Sequence, residues 1–273
     1  MTSFILVSVS FGYFYGLQDS FEWNVWKYLM WGCGLLAGSC FAINQALEVA
    51  WDSKMERTQN RPLPQGILAK WEAWVFGTLC FLVGFWFLWN INLMTAILGA
   101  SIVLTYCFWY TPSKRWNSLN TLIGAIPGAI PPLVGWTAAR GNIDLQGGFL
   151  FVLLFSWQLP HFLAIAWLYR NDYKQGGYAM LPVVEDSGQS CFRQILIQTG
   201  VLILVSLFPF AMGLAGYYYL LVALLAGGYF LYMGIQLYRS HSDRDARSVF
   251  RISLLYLPAI LFALIWDRAV FYV

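Results

Sequence analysis

Three oxygen-bearing side chains, Asn44, Glu48 and Asp52, stand at intervals of four residues in an otherwise apolar stretch. On a helix each step of four turns about 400°, so the three drift by only about 80° while climbing about 12 Å. They form one polar stripe. A carboxylate at membrane depth is costly unless it faces a cavity, a partner or a metal. Oxygen donors at this spacing suit Mg²⁺, which takes one or two carboxylates together with waters and ligand phosphates. Just downstream, Arg57, Asn60 and Arg61 supply donors for phosphate oxygens, and Pro62, Pro64 and Gly66 then end the helix. A helix end emerging into water would explain Asp52 and Glu56, but not Asn44 and Glu48 on the same face.

Two further clusters carry polar groups. The first holds Trp157, Gln158, Pro160 and His161, followed by Asp172, Tyr173 and Lys174. His161 and Asp172 are eleven residues apart, close to three turns, so they share a face if one helix runs that far. A lone membrane histidine is often a packing residue, but the crowding of Trp157 and Gln158 into its turn points to function. His241, the other of the 2 histidines, sits in an ordinary polar loop. The second cluster contains Tyr110, Lys114 and Arg115, which read equally as anion donors or as positive anchors at the membrane surface. The helix after it carries Gly124, Pro127, Gly128, Pro131, Pro132 and Gly135. It is expected to kink and to allow close backbone approach, which a membrane tolerates where the helix lines a cavity or packs on protein.

These side chains must be positioned by a membrane fold. Of 273 residues, 59% are hydrophobic and only 11% charged, with a net charge of +3. A soluble domain carries roughly 25% charged residues, so a soluble enzyme, a disordered chain and a nucleic-acid-binding module are all excluded. Runs such as Val201 to Phe208 lack the alternation of barrel strands. The expected fold class is therefore an all-α polytopic membrane protein, a single transmembrane domain over 1–273. Helices are predicted near 3–17, 26–50, 70–89, 92–110, 119–139, 147–169, 191–215, 217–238 and 249–271, nine in all. Thirteen of the 16 Lys and Arg residues fall in the connections after the second, fourth, sixth and eighth helices. That asymmetry predicts a cytoplasmic (or mitochondrial matrix) charged face, with the N-terminus on the same side. Cys33, Cys40, Cys80, Cys107 and Cys191 read as small buried hydrophobes. Thr2 and Ser3 lead straight into the apolar run with no basic or Arg-rich leader. Either the chain starts close to the membrane or an N-terminal arm is absent from it, and a bacterial plasma membrane is favoured over a mitochondrial inner membrane.

The strings Asn44-x₃-Glu48-x₃-Asp52-x₂-Met55-x-Arg57-Thr58-x₂-Arg61-Pro62-Leu63-Pro64 and Tyr110-Thr111-x₂-Lys114-Arg115 resemble the UbiA superfamily of intramembrane prenyltransferases. Within it, Gly128-Ala129-x-Pro131-Pro132-x₂-Gly135-Trp136, Trp157-Gln158-x-Pro160-His161-Phe162 and Asp172-Tyr173-x₂-Gly176-Gly177 look like the branch that farnesylates heme. The resemblance implies nine helices around a central cavity open to the cytoplasmic face. It implies transfer of a farnesyl group from farnesyl diphosphate to the 2-vinyl of heme B, giving heme O, the precursor of heme A. Carried over by position, Asn44, Glu48, Asp52 and Asp172 would hold Mg²⁺, and Arg57, Arg61, Lys114 and Arg115 would bind the diphosphate. His161 would lie at the heme, as an iron ligand or a polar group near the vinyl, with Trp157 beside it. The implied partners are heme B, farnesyl diphosphate, the lipid bilayer and a downstream heme A synthase. Two positions depart from the superfamily pattern: Glu48 stands where Asp is usual, and Gly176 stands where a second Asp would follow Asp172. The Lys-Pro-Arg segment that normally precedes the first helix is absent. The alternatives left open are an aromatic prenyltransferase acting on 4-hydroxybenzoate or a quinone precursor, and a membrane transporter or heme carrier.

Overall fold

The computed structural model describes residues 2–18 and 20–271, and every regular element in it is helical. The elements are α1 (Thr2–Gly16), α2 (Trp23–Asp52), α3 (Lys70–Trp89), α4 (Leu93–Ser113), α5 (Asn120–Arg140), α6 (Leu145–Leu168), α7 (Arg170–Gln175), α8 (Leu181–Val184), α9 (Gln189–Ala211), α10 (Tyr217–Ser240) and α11 (Asp243–Phe271). Eight of them are long and apolar enough to cross a membrane. The ninth predicted span, α1, has 15 residues. At 1.5 Å per residue it reaches about 22 Å, short of a bilayer core of about 30 Å. The count of nine full spans is thus not met among the described residues.

Most predicted ends hold within a few residues. The exceptions have local causes. α11 starts six residues before its predicted place because Ser242 Oγ accepts the Asp245 amide at 3.1 Å, a cap ahead of the apolar run. His241 takes a left-handed backbone (φ 52°) that ends α10, and its ring stacks on Phe192 at 4.8 Å. The helix that holds His161 does not run as far as Asp172: α6 stops at Leu168, one residue from its predicted end, and Arg170 Nη1 bonds the Trp167 carbonyl at 2.8 Å. His161 and Asp172 therefore do not share a helix face.

The chain forms two compact units. The first comprises residues 1–151 and 171–179. Here α1 crosses the second half of α5 in backbone contact: a Cβ at Gly12 would meet the Pro132 carbonyl oxygen at 1.9 Å, and one at Gly135 would meet that of Val9 at 1.9 Å. Only glycine permits that approach. As the prolines predicted, α5 breaks at Ile130, between Ala129 and Pro131. α2 packs along α3, burying Leu36, Cys40 and Ile43 in a core shared with Leu88 and Val103. The second unit comprises residues 152–170 and 180–273, in which α9, α10 and α11 pack around Phe192, Phe230 and Tyr256. All five cysteines are buried and free, as the sequence suggested. Large apolar residues such as Leu204 and Leu255 stay exposed, as a lipid-facing surface requires.

Candidate functional site

The polar stripe on α2 folds as its spacing predicts. The helix continues to Asp52, and Asn44, Glu48 and Asp52 are all buried, at 7%, 3% and 1% exposure. Each has an assigned neighbour. Lys114 Nζ lies 3.0 and 3.1 Å from the two Glu48 oxygens, and Asn44 Nδ2 donates to Glu48 Oε2 at 2.8 Å. The Glu48 carboxylate only accepts, so the amide turns Nδ2 toward it and Oδ1 toward Thr111 Oγ1, 2.8 Å away; that hydroxyl also lies 2.9 Å from the Tyr106 carbonyl oxygen. Arg61 Nη1 reaches Asp52 Oδ2 at 2.8 Å, across the turn that Thr58 closes by bonding the Asp52 carbonyl.

Asp172 joins the same unit from α7. Its Oδ1 accepts the Glu56 amide at 3.0 Å, and Arg57 Nε stands 3.8 Å from Oδ2. The loop that follows is pinned to the α4–α5 connection: Ala179 N donates to the Lys114 carbonyl at 2.7 Å, and Asn120 Nδ2 to the Ala179 carbonyl at 3.0 Å. Gly176 sits directly on Met55, where a Cβ would come within 2.9 Å of the methionine side chain. At the position where a second Asp was absent, a side chain would have to displace that of Met55. Arg115 lies over the Trp51 ring. All eight residues proposed for metal and diphosphate therefore fall within one compact unit.

Electrostatics suit an anionic ligand. Four cations stand among three carboxylates, and Arg57 and Arg61 are the more exposed members of their pairs. Burial pushes the Lys114 ammonium toward neutrality, but Glu48 outweighs it and holds the pKa above the ordinary lysine value. Lys114 also lies 4.6 Å from the Tyr110 ring centroid and 5.9 Å from that of Tyr178. Two buried polar atoms in this region make no hydrogen bond, Asp172 Oδ2 and Arg115 Nε. Buried polar groups are normally satisfied, so these atoms are free to meet polar ligand atoms. Among the described residues no three Asp, Glu, His or Cys side chains converge as a ready metal cage. The donor set still fits Mg²⁺, which does not need a cage of protein ligands: the donors are all oxygen, and Asp172 Oδ2 has a position open.

Two features had no signal in the sequence. One is the π-helical stretch Thr105–Tyr110, which brings Thr111 to Asn44. The other is Tyr178, whose phenol is kept neutral by burial and by the nearby Glu48 charge. The Gly176-Gly177-Tyr178 string was visible, but its pairing with Lys114 was not.

His161 and Trp157 lie in the second unit. The imidazole stacks on Trp157 (4.9 Å, 19°) and on Phe250 (5.1 Å, 28°). Trp157 Nε1 donates to the Ser253 carbonyl at 2.7 Å, and His161 Nδ1 lies 2.7 Å from Ser253 Oγ. Ser253, on α11, was not singled out by the sequence because it is 92 positions from the residue it serves.

The chain matches the model of the UbiA prenyltransferase family over residues 5–258. It is 42% identical to a protoheme IX farnesyltransferase of Solibacter usitatus, with 98% of this chain and 95% of that protein covered. Its fold matches a solved digeranylgeranylglyceryl phosphate synthase at TM-score 0.82, with 16% identity and 97% and 92% of the two chains covered. It also matches a UbiA homologue from Archaeoglobus fulgidus, bound to GPP and Mg²⁺, at TM-score 0.67, with 12% identity and 97% and 96% covered.

Proposed function

Because this chain belongs to the UbiA prenyltransferase family, we propose that it moves a farnesyl group from farnesyl diphosphate to the 2-vinyl group of heme B, giving heme O. The observation that carries the donor half of this reading is the buried stripe Asn44, Glu48 and Asp52, with Asp172 in the same unit, its Oδ2 buried without a hydrogen bond. The acceptor half is supported by the 42% identity to a protein named for heme farnesylation.

Asn44, Glu48, Asp52 and Asp172 would hold Mg²⁺, which supplies charge neutralisation for the departing diphosphate. Arg57 and Arg61 donate to the phosphate oxygens while Lys114 and Arg115 stabilise the charge that builds as the bond to C1 breaks. In that heterolysis the electron pair leaves with the diphosphate. The vinyl π pair then forms the new carbon–carbon bond to C1. Water captures the cation left on the heme side and loses a proton, so a hydroxyl remains. Asn44, held by Thr111, keeps Glu48 in place throughout. The whole chain, both compact units included, acts as one prenyltransferase domain in the membrane, with its charged face cytoplasmic in a bacterial plasma membrane. A heme A synthase is the natural recipient of the product.

The acceptor is tested by offering purified protein farnesyl diphosphate and Mg²⁺ with heme B and 4-hydroxybenzoate together. The farnesyl group is expected on heme alone, read by mass. Prenylated benzoate with unmodified heme would reverse the assignment.

A further inference from the structure

The hydrogen bonds around Ser253 decide which nitrogen of His161 carries the proton. Ser253 Oγ lies 2.6 Å from the Phe250 carbonyl oxygen. A carbonyl only accepts, so the serine proton points there. The serine oxygen is left as an acceptor, and His161 Nδ1, 2.7 Å away, must be the donor. No carboxylate pairs with the ring among the described residues, so the buried imidazole is neutral, protonated on Nδ1, with the lone pair on Nε2. Nε2 has no hydrogen-bond partner among the described residues, and it is not one of the enclosed unpartnered atoms. The ring stacks on Trp157 and on Phe250, and turning it would take Nδ1 away from Ser253 Oγ. Ser253 holds Trp157 as well, through its carbonyl. A neutral histidine whose Nδ1–H is bonded within the protein and whose Nε2 is open is the arrangement of a metal-ligating histidine.

We infer that Ser253 is a positioning residue: by accepting the Nδ1 proton it presents His161 Nε2 as an axial ligand to the iron of the heme substrate. The inference rests on the heme reading above for the identity of the metal. It assigns the ligand atom and the residue that selects it, and it gives α11 a part in acceptor recognition. Iron ligation through Nε2 involves no redox step. The imidazole donates its lone pair and keeps its Nδ1 proton, which stays on the nitrogen, hydrogen-bonded to the serine oxygen.

The test uses the full-length purified protein titrated with heme B, reduced, and read by resonance Raman for the iron–histidine stretch. The wild type is expected to show that stretch and His161→Ala to lose it. Ser253→Ala should shift its frequency and weaken heme binding by about 10–100-fold, the range seen when a ligand's outer partner is removed. Ser253→Thr, which keeps the hydroxyl, should restore the wild-type frequency. Binding of inorganic diphosphate with Mg²⁺, retained by each variant, reports that the chain is folded. An iron–histidine band that survives His161→Ala, or one that Ser253→Ala leaves unmoved in position and affinity, overturns the inference. Heme O formation by the wild type is measured separately. Ligation through His161 without heme O would spare the ligand assignment and sink only the proposed reaction.

Discussion

Glu48→Gln will lower heme O formation by at least two to three orders of magnitude, the scale on which a group that stabilises developing charge is lost. Glu48 is 3% exposed and receives both Lys114 and Asn44, so it sits at the centre of the cationic and oxygen-donor network. Glutamine keeps the volume and one oxygen but removes the charge that a divalent ion needs. Asp52→Asn is expected to act alike, because Asp52 is the next oxygen donor along the stripe and its salt bridge to Arg61 sets the loop. The measurement is heme O by mass against Mg²⁺ concentration, and activity within tenfold of wild type would remove these carboxylates from the site. A loss confined to affinity for Mg²⁺ would show as recovery at high metal, and a loss of the charge itself would not recover.

Lys114→Ala will lower thermal stability as well as activity. It strands the Glu48 carboxylate in a buried place with no counter-charge, and breaking one side of a buried pair costs about 3–5 kcal/mol. The double variant Glu48→Gln, Lys114→Met, with no buried charge at this pair, is expected to melt close to wild type and to remain inactive. That divergence separates the stabilising role of the pair from its chemical one. The same pair has an alkaline signature. Glu48 raises the Lys114 pKa, so its stabilisation is fully present below the ordinary lysine value and is lost only as pH rises through the raised one. In Glu48→Gln, burial acts without that opposing charge, and Lys114 should release its proton at lower pH than in the wild type. A melting temperature of Lys114→Ala equal to wild type in detergent would contradict this account.

The α2 stripe was legible because three polar residues at intervals of four leave few other readings inside an apolar run, and the helix needed only to continue to Asp52. The kink of α5 was legible for the same reason: Pro131 and Pro132 cannot continue a regular helix from Ala129. What was not legible depends on partners distant in the chain. The tie from Ser253 to His161 spans 92 positions, and that from Thr111 to Asn44 spans 67. The π-helical stretch at Thr105–Tyr110 carries no compositional mark, since its residues would sit equally well in a regular α-helix. The end of α6 at Leu168 lies one residue from the predicted end at 169. Just beyond it, Arg170 bonds the Trp167 carbonyl and pairs with Asp243 at 2.9 Å. The first helix, predicted over 3–17 and found over Thr2–Gly16, has 15 residues, too few for a full span.

The central claim is that the buried acidic stripe of α2, with Asp172 and the four cations around it, is a Mg²⁺-dependent diphosphate site. Calorimetric titration of the purified protein with inorganic diphosphate, with and without Mg²⁺, tests it most directly. The account predicts saturable binding that requires Mg²⁺ in the wild type and is lost in Glu48→Gln. Binding of equal strength without the metal, or unchanged by that substitution, would contradict it.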